Sequence, residues 1–298
     1  GGGEPLLQPR LVEWVSEANA AGCETGVLTN GLLLGREKAE ELTRAGLDWL
    51  CVSLDGATAE EYGRIRIGSN FRTVCENLGN IARVRSGTAP KTMINFVMMR
   101  SNFHQLEEIV RLAASLGVDQ VNFKQCEVSR EVHGKGLGLF GSTETRETRR
   151  LQKALSRARS LARKLNIQTT ASSFAPTQRA VCEQDPRDSA FISHKGVVAP
   201  CINLALAGRT TFLGQEVALP QVHYGALPQD DLAALWEGAV CTFYRERFNE
   251  RARAYDEAFM QSLMSDSRRT PERLREAAVK RMPEAPEGCK VCHYLYDI

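Results

Sequence analysis

The chain has 298 residues, of which 43% are apolar and 25% charged, and its formal net charge is +2. That profile fits a globular protein with enough chain for one large domain and a smaller one, and it gives no general push toward nucleic acid or a membrane surface. No apolar run approaches the ~18 residues of a membrane span, and no export signal is visible. The expectation is therefore a cytoplasmic protein with no nucleic-acid or membrane partner. In that compartment thiols stay reduced, so the clustering of some of the nine cysteines suggests a metal.

The chain opens on "GGGEPLLQPRLVEW", a glycine-acid turn followed by an amphipathic run. Leu7, Leu11, Trp14, Val15 and Ala18 recur at helical spacing, and Gly22 ends that helix. "TGVLTNG" (25–31) is a short apolar run stopped by Asn-Gly. "REKAEELTRAG" (36–46) reads as a polar-faced helix with Gly46 as its stop. "DWLCVSLDG" (48–56) is the next strand, residues 71–85 a helix, and "MINFVMM" (93–99) another strand. "QLEEIVRLAASLG" is a helix ending at Gly117, and "VDQVNFK" (118–124) reads as the last strand of the series. Strand–helix alternation with short loops implies right-handed crossovers and a parallel sheet. Repeat units of ~25–45 residues fit a (β/α) barrel or an open doubly wound sheet. The strands read as apolar on both faces, as a sheet covered by helices requires.

From about Gly134 the character changes. "GKGLGLFGS" reads as a glycine-rich linker. A long basic helix (144–165) follows, with Leu151, Leu155, Leu161 and Leu165 on its apolar side. Its charge is either a solvated face or a grip on an anionic partner. Beyond Gln168 the pattern is short strands, loops and one more charged helical stretch, from Tyr244 to Met282.

Four cysteines form a constellation. Cys182 and Cys201 are separated by eighteen residues, and Cys289 and Cys292 form C-x-x-C in "EGCKVCHYLYDI". A C-x-x-C turn points two thiolates at one centre, and a second pair completes a four-sulfur shell suited to zinc or an iron–sulfur cluster. "HKGVVAPC" looks like a hairpin that presents Cys201. Cys23, Cys51, Cys75 and Cys241 read as small buried apolar residues. Cys126 lies just past the last strand, where barrel enzymes place their chemistry, so packing and reactivity are both open to it.

With these pieces the chain resembles the radical S-adenosylmethionine enzymes that carry a Twitch or SPASM auxiliary-cluster domain. The resemblance rests on "GGGEP" (1–5), "TNG" (29–31), "VSLDG" (52–56), "INFVMMRSN" (94–102), C-x13-G-x4-C from Cys182 through Gly196 to Cys201, "HYGALPQDDLAALW" (223–236) and the terminal C-x-x-C. It implies an α/β fold: a partial (β/α)6 TIM-type barrel at 1–133 lacking its first strand, a linker and basic helix at 134–175, and a small cysteine-rich α+β Twitch/SPASM-like domain at 176–298.

By this resemblance, Gly2, Gly3, Glu4, Thr29, Ser53, Asn95 and Arg100 would bind S-adenosylmethionine. Glu4 would accept a hydrogen bond from the ligand's ammonium group, and Arg100 would either pair with its carboxylate or only solvate a loop. Asp55 and Gly56 would either reach substrate or only make a turn. Cys182, Cys201, Cys289 and Cys292 would hold one auxiliary 4Fe–4S cluster, since the position that would continue toward a second cluster is Ile298. The family cleaves S-adenosylmethionine reductively to a 5′-deoxyadenosyl radical that abstracts hydrogen from a peptide or small-molecule substrate, with electrons from a partner such as flavodoxin or ferredoxin. The family's catalytic cluster sits on a C-x3-C-x2-C loop, and that motif does not occur in this sequence. The expectation is that the loop lies upstream of Gly1, or that it has been lost, and that this chain alone is inactive. No catalytic residue is assigned. Two competing readings remain: a non-catalytic iron–sulfur relative that transfers electrons or binds a partner, and a zinc-stapled structural protein.

Overall fold

Short strands build the first part of the computed structural model, which describes residues 3–85, 87–126, 145–174, 176–213, 215–265 and 270–297, with backbone alone for 145–147. Gly1, Gly2, the glycine-rich 134–142 stretch and Ile298 lie outside the described residues. The described residues divide into two compact units, 3–126 with 145–174, and 176–297.

In the first unit, β1 (Gly26–Thr29), β2 (Trp49–Ser53), β3 (Lys91–Met98), β4 (Gln120–Gln125) and β5 (Gln168–Ala171) pair in sequence order, all parallel. Helices α1 (Leu11–Ala20), α2 (Arg36–Arg44), α3 (Ala59–Ile65), α4 (Phe71–Val84), α5 (Leu106–Leu116) and α6 (Thr145–Lys164) fill the connections. Local chemistry sets their ends. Asn70 caps α4 by accepting from the Thr73 N–H at 3.1 Å, and Gly117 ends α5 at φ +72°, a conformation glycine takes without a Cβ penalty.

Two expectations about this sheet need correction. The strand series does not end at 118–124. Gln168–Ala171 adds a fifth parallel strand, and its short polar sequence hid it. The basic helix is accordingly no linker element: its Leu151, Leu155, Ala158 and Ala162 are buried in the same core as α5 residues Ile109, Val110 and Ala113.

Nor are the strands apolar on both faces. In β3, Thr92, Ile94, Phe96 and Met98 are buried, while Lys91, Met93, Asn95 and Val97 are only half-buried. The buried row continues through Leu50, Val52, Val121 and Phe123 into the helix-covered core. The opposite row carries Leu28, exposed on β1, and the polar Ser53, Asn95 and Asn122. One face is a core face and the other is a polar, partly open one.

The second unit is built of smaller pieces. β6 (Phe191–Ile192), β7 (Val197–Ala199) and β10 (Gly225–Ala226) form an antiparallel sheet with β7 central, and β8 (Gly208–Phe212) pairs with β9 (Gln215–Leu219). The helices are α7 (Ile202–Leu206), α8 (Leu232–Trp236), α9 (Ala239–Ser265) and α10 (Pro271–Val279). The charged stretch expected to run from Tyr244 to Met282 is thus two helices. Thr270 accepts from the Arg273 N–H and Pro271 stands at the first helical position, a start signal that opens α10 anew. The core gathers Leu204, Tyr244, Phe248, Ala285, Cys289 and Leu295. A last correction concerns Cys23, expected to be buried: it is exposed, one residue beyond the Gly22 turn that ends α1.

Candidate functional site

The strand ends of the first unit are held by hydrogen bonds among the residues singled out from sequence. Glu4 caps a short 3-10 turn at Pro5–Leu7, accepting from the Leu6 N–H at 3.1 Å. The same carboxylate accepts from the Thr29 hydroxyl at 2.6 Å and from the Asn30 N–H at 2.8 Å. Thr29 is 2% exposed, and its Oγ1 also accepts from the Gly31 N–H. Its visible role is to anchor Glu4 at the end of β1. Gly3 is exposed, and a Cβ there would meet nothing. Arg100 is exposed in the loop after β3.

Asp55 is buried and engaged within the chain. Its carboxylate pairs with Arg66 at 2.6 Å and accepts from the Val97 N–H at 2.8 Å. Asn102, fully buried, donates to the carbonyls of Asp55 (2.9 Å) and Val97 (2.8 Å) and accepts from the Met99 N–H. Together they lock the chain leaving β2 to the chain leaving β3. Gly56 is there by necessity, since a Cβ would lie 2.5 Å from the Tyr62 nitrogen.

On the partly open face a polar row crosses the sheet in register: Ser53 beside Asn95, Asn95 beside Asn122, Asn122 beside Thr170. Asn122 Nδ2 donates to Asn95 Oδ1 at 2.9 Å, and Asn122 Oδ1 accepts from Thr170 Oγ1 (2.7 Å) and Gln120 Nε2 (2.6 Å). Cys51 borders the row, and burial pushes its thiol up to about 12, so it stays protonated near neutral pH. The sequence reading named Ser53 and Asn95 and missed Asn122 and Thr170. A lone Asn inside an apolar strand at period two from Gln120 and Lys124 was the available signal.

In the second unit, Cys182, Cys201, Cys289 and Cys292 line one cavity, together with Gln184, Asn203, Leu204, Gly288, Tyr294 and Leu295. Separate stretches of chain deliver them. The β6–β7 hairpin turns at Gly196 (φ +79°) and leads through β7 to Cys201, which stands at the N-cap of α7. Cys182 comes from a segment laced to the C-terminal stretch: the Arg179 N–H donates to Leu295 O at 2.7 Å and the Glu183 N–H to Tyr294 O at 3.1 Å. Gly288 lets Cys289 in, because a Cβ there would press on Leu204 and Pro220 at 2.6 and 2.8 Å.

The electrostatics suit soft cationic metal. Burial pushes Cys182 up to about 11 and Cys201 up to about 12, and it raises Cys289 as well. The neighbouring thiols add to each shift. Main-chain N–H groups of Gln184 and Asp185 oppose it at Cys182, and those of Asn203 and Leu204 at Cys201. The Asn203 side chain donates to Cys292 Sγ at 3.6 Å. Buried thiols with amides aimed at sulfur become thiolates when a metal supplies the positive charge. Among the described residues, no group of three or more His, Cys, Asp or Glu is spaced to hold a single metal ion.

A parallel α/β unit with a polar open face and, in the same chain, a unit that collects four cysteines define an α/β protein with a candidate metal centre. Residues 1–113 match the sequence profile of the Radical SAM superfamily. A PqqA peptide cyclase of Gluconobacter oxydans is 37% identical over 120 residues, covering 40% of this chain and 33% of that protein. A tungsten-containing aldehyde ferredoxin oxidoreductase cofactor-modifying protein of Pyrococcus furiosus is 27% identical over 253 residues, covering 82% of this chain and 68% of that one. Among solved structures, Streptococcus suis SuiB bound to S-adenosylmethionine has TM-score 0.57 at 17% identity, over 82% of this chain and 55% of SuiB. At that identity the likeness is one of fold. The matched stretch thus spans about a third of the peptide cyclase and about half of SuiB.

Proposed function

We propose that this chain is part of a radical S-adenosylmethionine enzyme acting on a peptide or small-molecule substrate, and that its second unit is a Twitch/SPASM-like domain holding one auxiliary 4Fe–4S cluster on Cys182, Cys201, Cys289 and Cys292. The observation that carries the cluster reading is that these four cysteines, from distant parts of the sequence, line one cavity with no carboxylate and no histidine among its lining residues. A cubane attaches each thiolate to a different iron and so wants its sulfurs farther apart than one zinc ion does, with Zn–S at ~2.3 Å. When bound, the cluster supplies one-electron transfer; the chain's own residues bury it and aim amides at its sulfurs.

The partly open face of the sheet is the proposed ligand face. Ser53, Asn95 and Asn122 offer neutral donors and acceptors to S-adenosylmethionine, and Glu4, held by Thr29 and Asn30, keeps its carboxylate at the end of β1. Gly2, Gly3 and Arg100 complete the proposed set. The peptide substrate class is favoured by the named relatives: PqqA peptide cyclases, and SuiB solved with its precursor peptide SuiA. A flavodoxin or ferredoxin is the proposed electron source. The cysteines of this sequence do not supply a C-x3-C-x2-C loop, so no step is assigned to a catalytic cluster on this chain.

The test is anaerobic reconstitution followed by iron and acid-labile sulfide analysis. About four of each per chain are expected, falling to near zero when Cys289 and Cys292 are both replaced by serine. Stoichiometric zinc without sulfide would establish the staple instead.

A further inference from the structure

Helix α9 turns one stripe toward the core of the second unit. Cys241, Tyr244, Phe248 and Arg251 follow at three- and four-residue spacing, and all four are buried. An apolar side chain is expected at the fourth step. A guanidinium stands there instead, 1% exposed.

Taking a charge out of water is costly unless hydrogen bonds and opposite charge answer it. The hydrogen bonds are all to main chain. Nε donates to Ala180 O at 3.0 Å, Nη2 to Arg179 O at 2.9 Å, and Nη1 to Pro283 O. Residues 179 and 180 lead directly into Cys182, and Pro283 leads into the segment of Cys289. One planar fork therefore ties together two of the stretches that bring cysteines to the cavity. Among the described residues, no carboxylate forms an ion pair with it. Burial works against the charged form of Arg251 and Arg247 repels it, while the groups that favour it are Cys289, Tyr296 and Cys182.

We propose that Arg251 is a positioning residue of the four-cysteine centre, clamping the chain segments of Cys182 and Cys289 and serving as the counter-charge of the thiolate set. This rests on the reading of those cysteines as cluster ligands. A four-thiolate cluster carries net negative charge, and reduction adds one more electron to it. A fixed cation close by favours the reduced form, so its removal lowers the reduction potential.

The experiment uses the full chain, reconstituted anaerobically, with iron content and midpoint potential measured for wild type, Arg251→Gln and Arg251→Lys. Arg251→Lys is expected to keep the charge and hold a potential close to wild type. Arg251→Gln is expected to shift the reduced-to-oxidised ratio at fixed ambient potential about tenfold toward oxidised, or 59 mV for one electron. A potential unchanged in Arg251→Gln overturns the proposal. So does loss of the cluster in Arg251→Lys as complete as in Arg251→Gln, because charge would then have rescued nothing. A wild-type chain that takes up no iron and sulfide overturns the cluster reading itself, and with it this role, whereas a loaded wild type beside an unshifted Arg251→Gln overturns the role alone.

Discussion

Asn102 offers a test of how the strand ends are held. Its side chain is fully buried and makes three hydrogen bonds, to Asp55 O, Val97 O and from Met99 N. Each is worth about 1 kcal/mol net, and a buried partner left unpaired costs about 1–3 kcal/mol. Asn102→Ala orphans three main-chain groups at once, so a loss of about 3–5 kcal/mol is expected. Asn102→Asp keeps the shape but sets a carboxylate against two carbonyl oxygens, and it should lose at least as much. The assay is urea unfolding followed by tryptophan fluorescence in a Trp236→Phe background, which leaves Trp14 and Trp49, both in the first unit, as reporters. Following one unit keeps the transition close to two-state. A loss below about 1 kcal/mol for Asn102→Ala at unchanged slope would show that these bonds do not hold the β2 and β3 ends together.

Other outcomes follow from the same geometry. Gly196→Ala places a Cβ 2.2 Å from Leu227 O at φ +79°, so the hairpin that leads to Cys201 should distort and iron uptake should fall sharply, as measured by iron analysis against the wild type. Asn203→Ala removes the amide that donates to Cys292 Sγ and should lower the midpoint potential while iron content holds. Asp119 titrates in the first unit: burial pushes its carboxyl up, but hydrogen bonds from Arg85 and Thr92 outweigh that and hold it below the usual range. Its contribution to stability is therefore present above the ordinary carboxylate pKa of ~3.9 and is lost as pH falls through the depressed folded value. Asp119→Asn should flatten the acid limb of the first unit's stability profile, read as unfolding midpoints from pH 6 downward.

Much of the scaffold was legible because period and punctuation agree along the first unit. Gly46 and Gly117, read in the sequence as helix stops, stand just past α2 and α5 at positive φ. What sequence pattern misses is which face of a strand stays open. In "MINFVMM" the open-face residues Met93 and Val97 are as apolar as the buried Ile94 and Phe96, so the alternation shows only at Asn95. The fifth strand was lost for the opposite reason: "QTTA" is too short and polar to read as a strand until Asn122 and Thr170 are seen hydrogen-bonded across it.

Arg251 marks a different limit. In composition it is one more charge on a long charged helix, and only the stripe Cys241, Tyr244, Phe248 shows that its position faces inward. The groups that most favour its charge, Cys289, Tyr296 and Cys182, lie outside the helix. Two of these are thiols, which become thiolates when metal is bound. On the proposed role of Arg251, folding of the second unit and loading of its cavity would be linked through one side chain. In a loaded chain the guanidinium would face thiolates, whereas in the metal-free chain it faces neutral thiols, with carbonyl bonds to offset its burial. Removal of the metal by a chelator should therefore lower the thermal midpoint of the second unit, and lower it less in Arg251→Gln than in wild type, which scanning calorimetry of both chains would read directly. An equal drop in the two would refute the linkage.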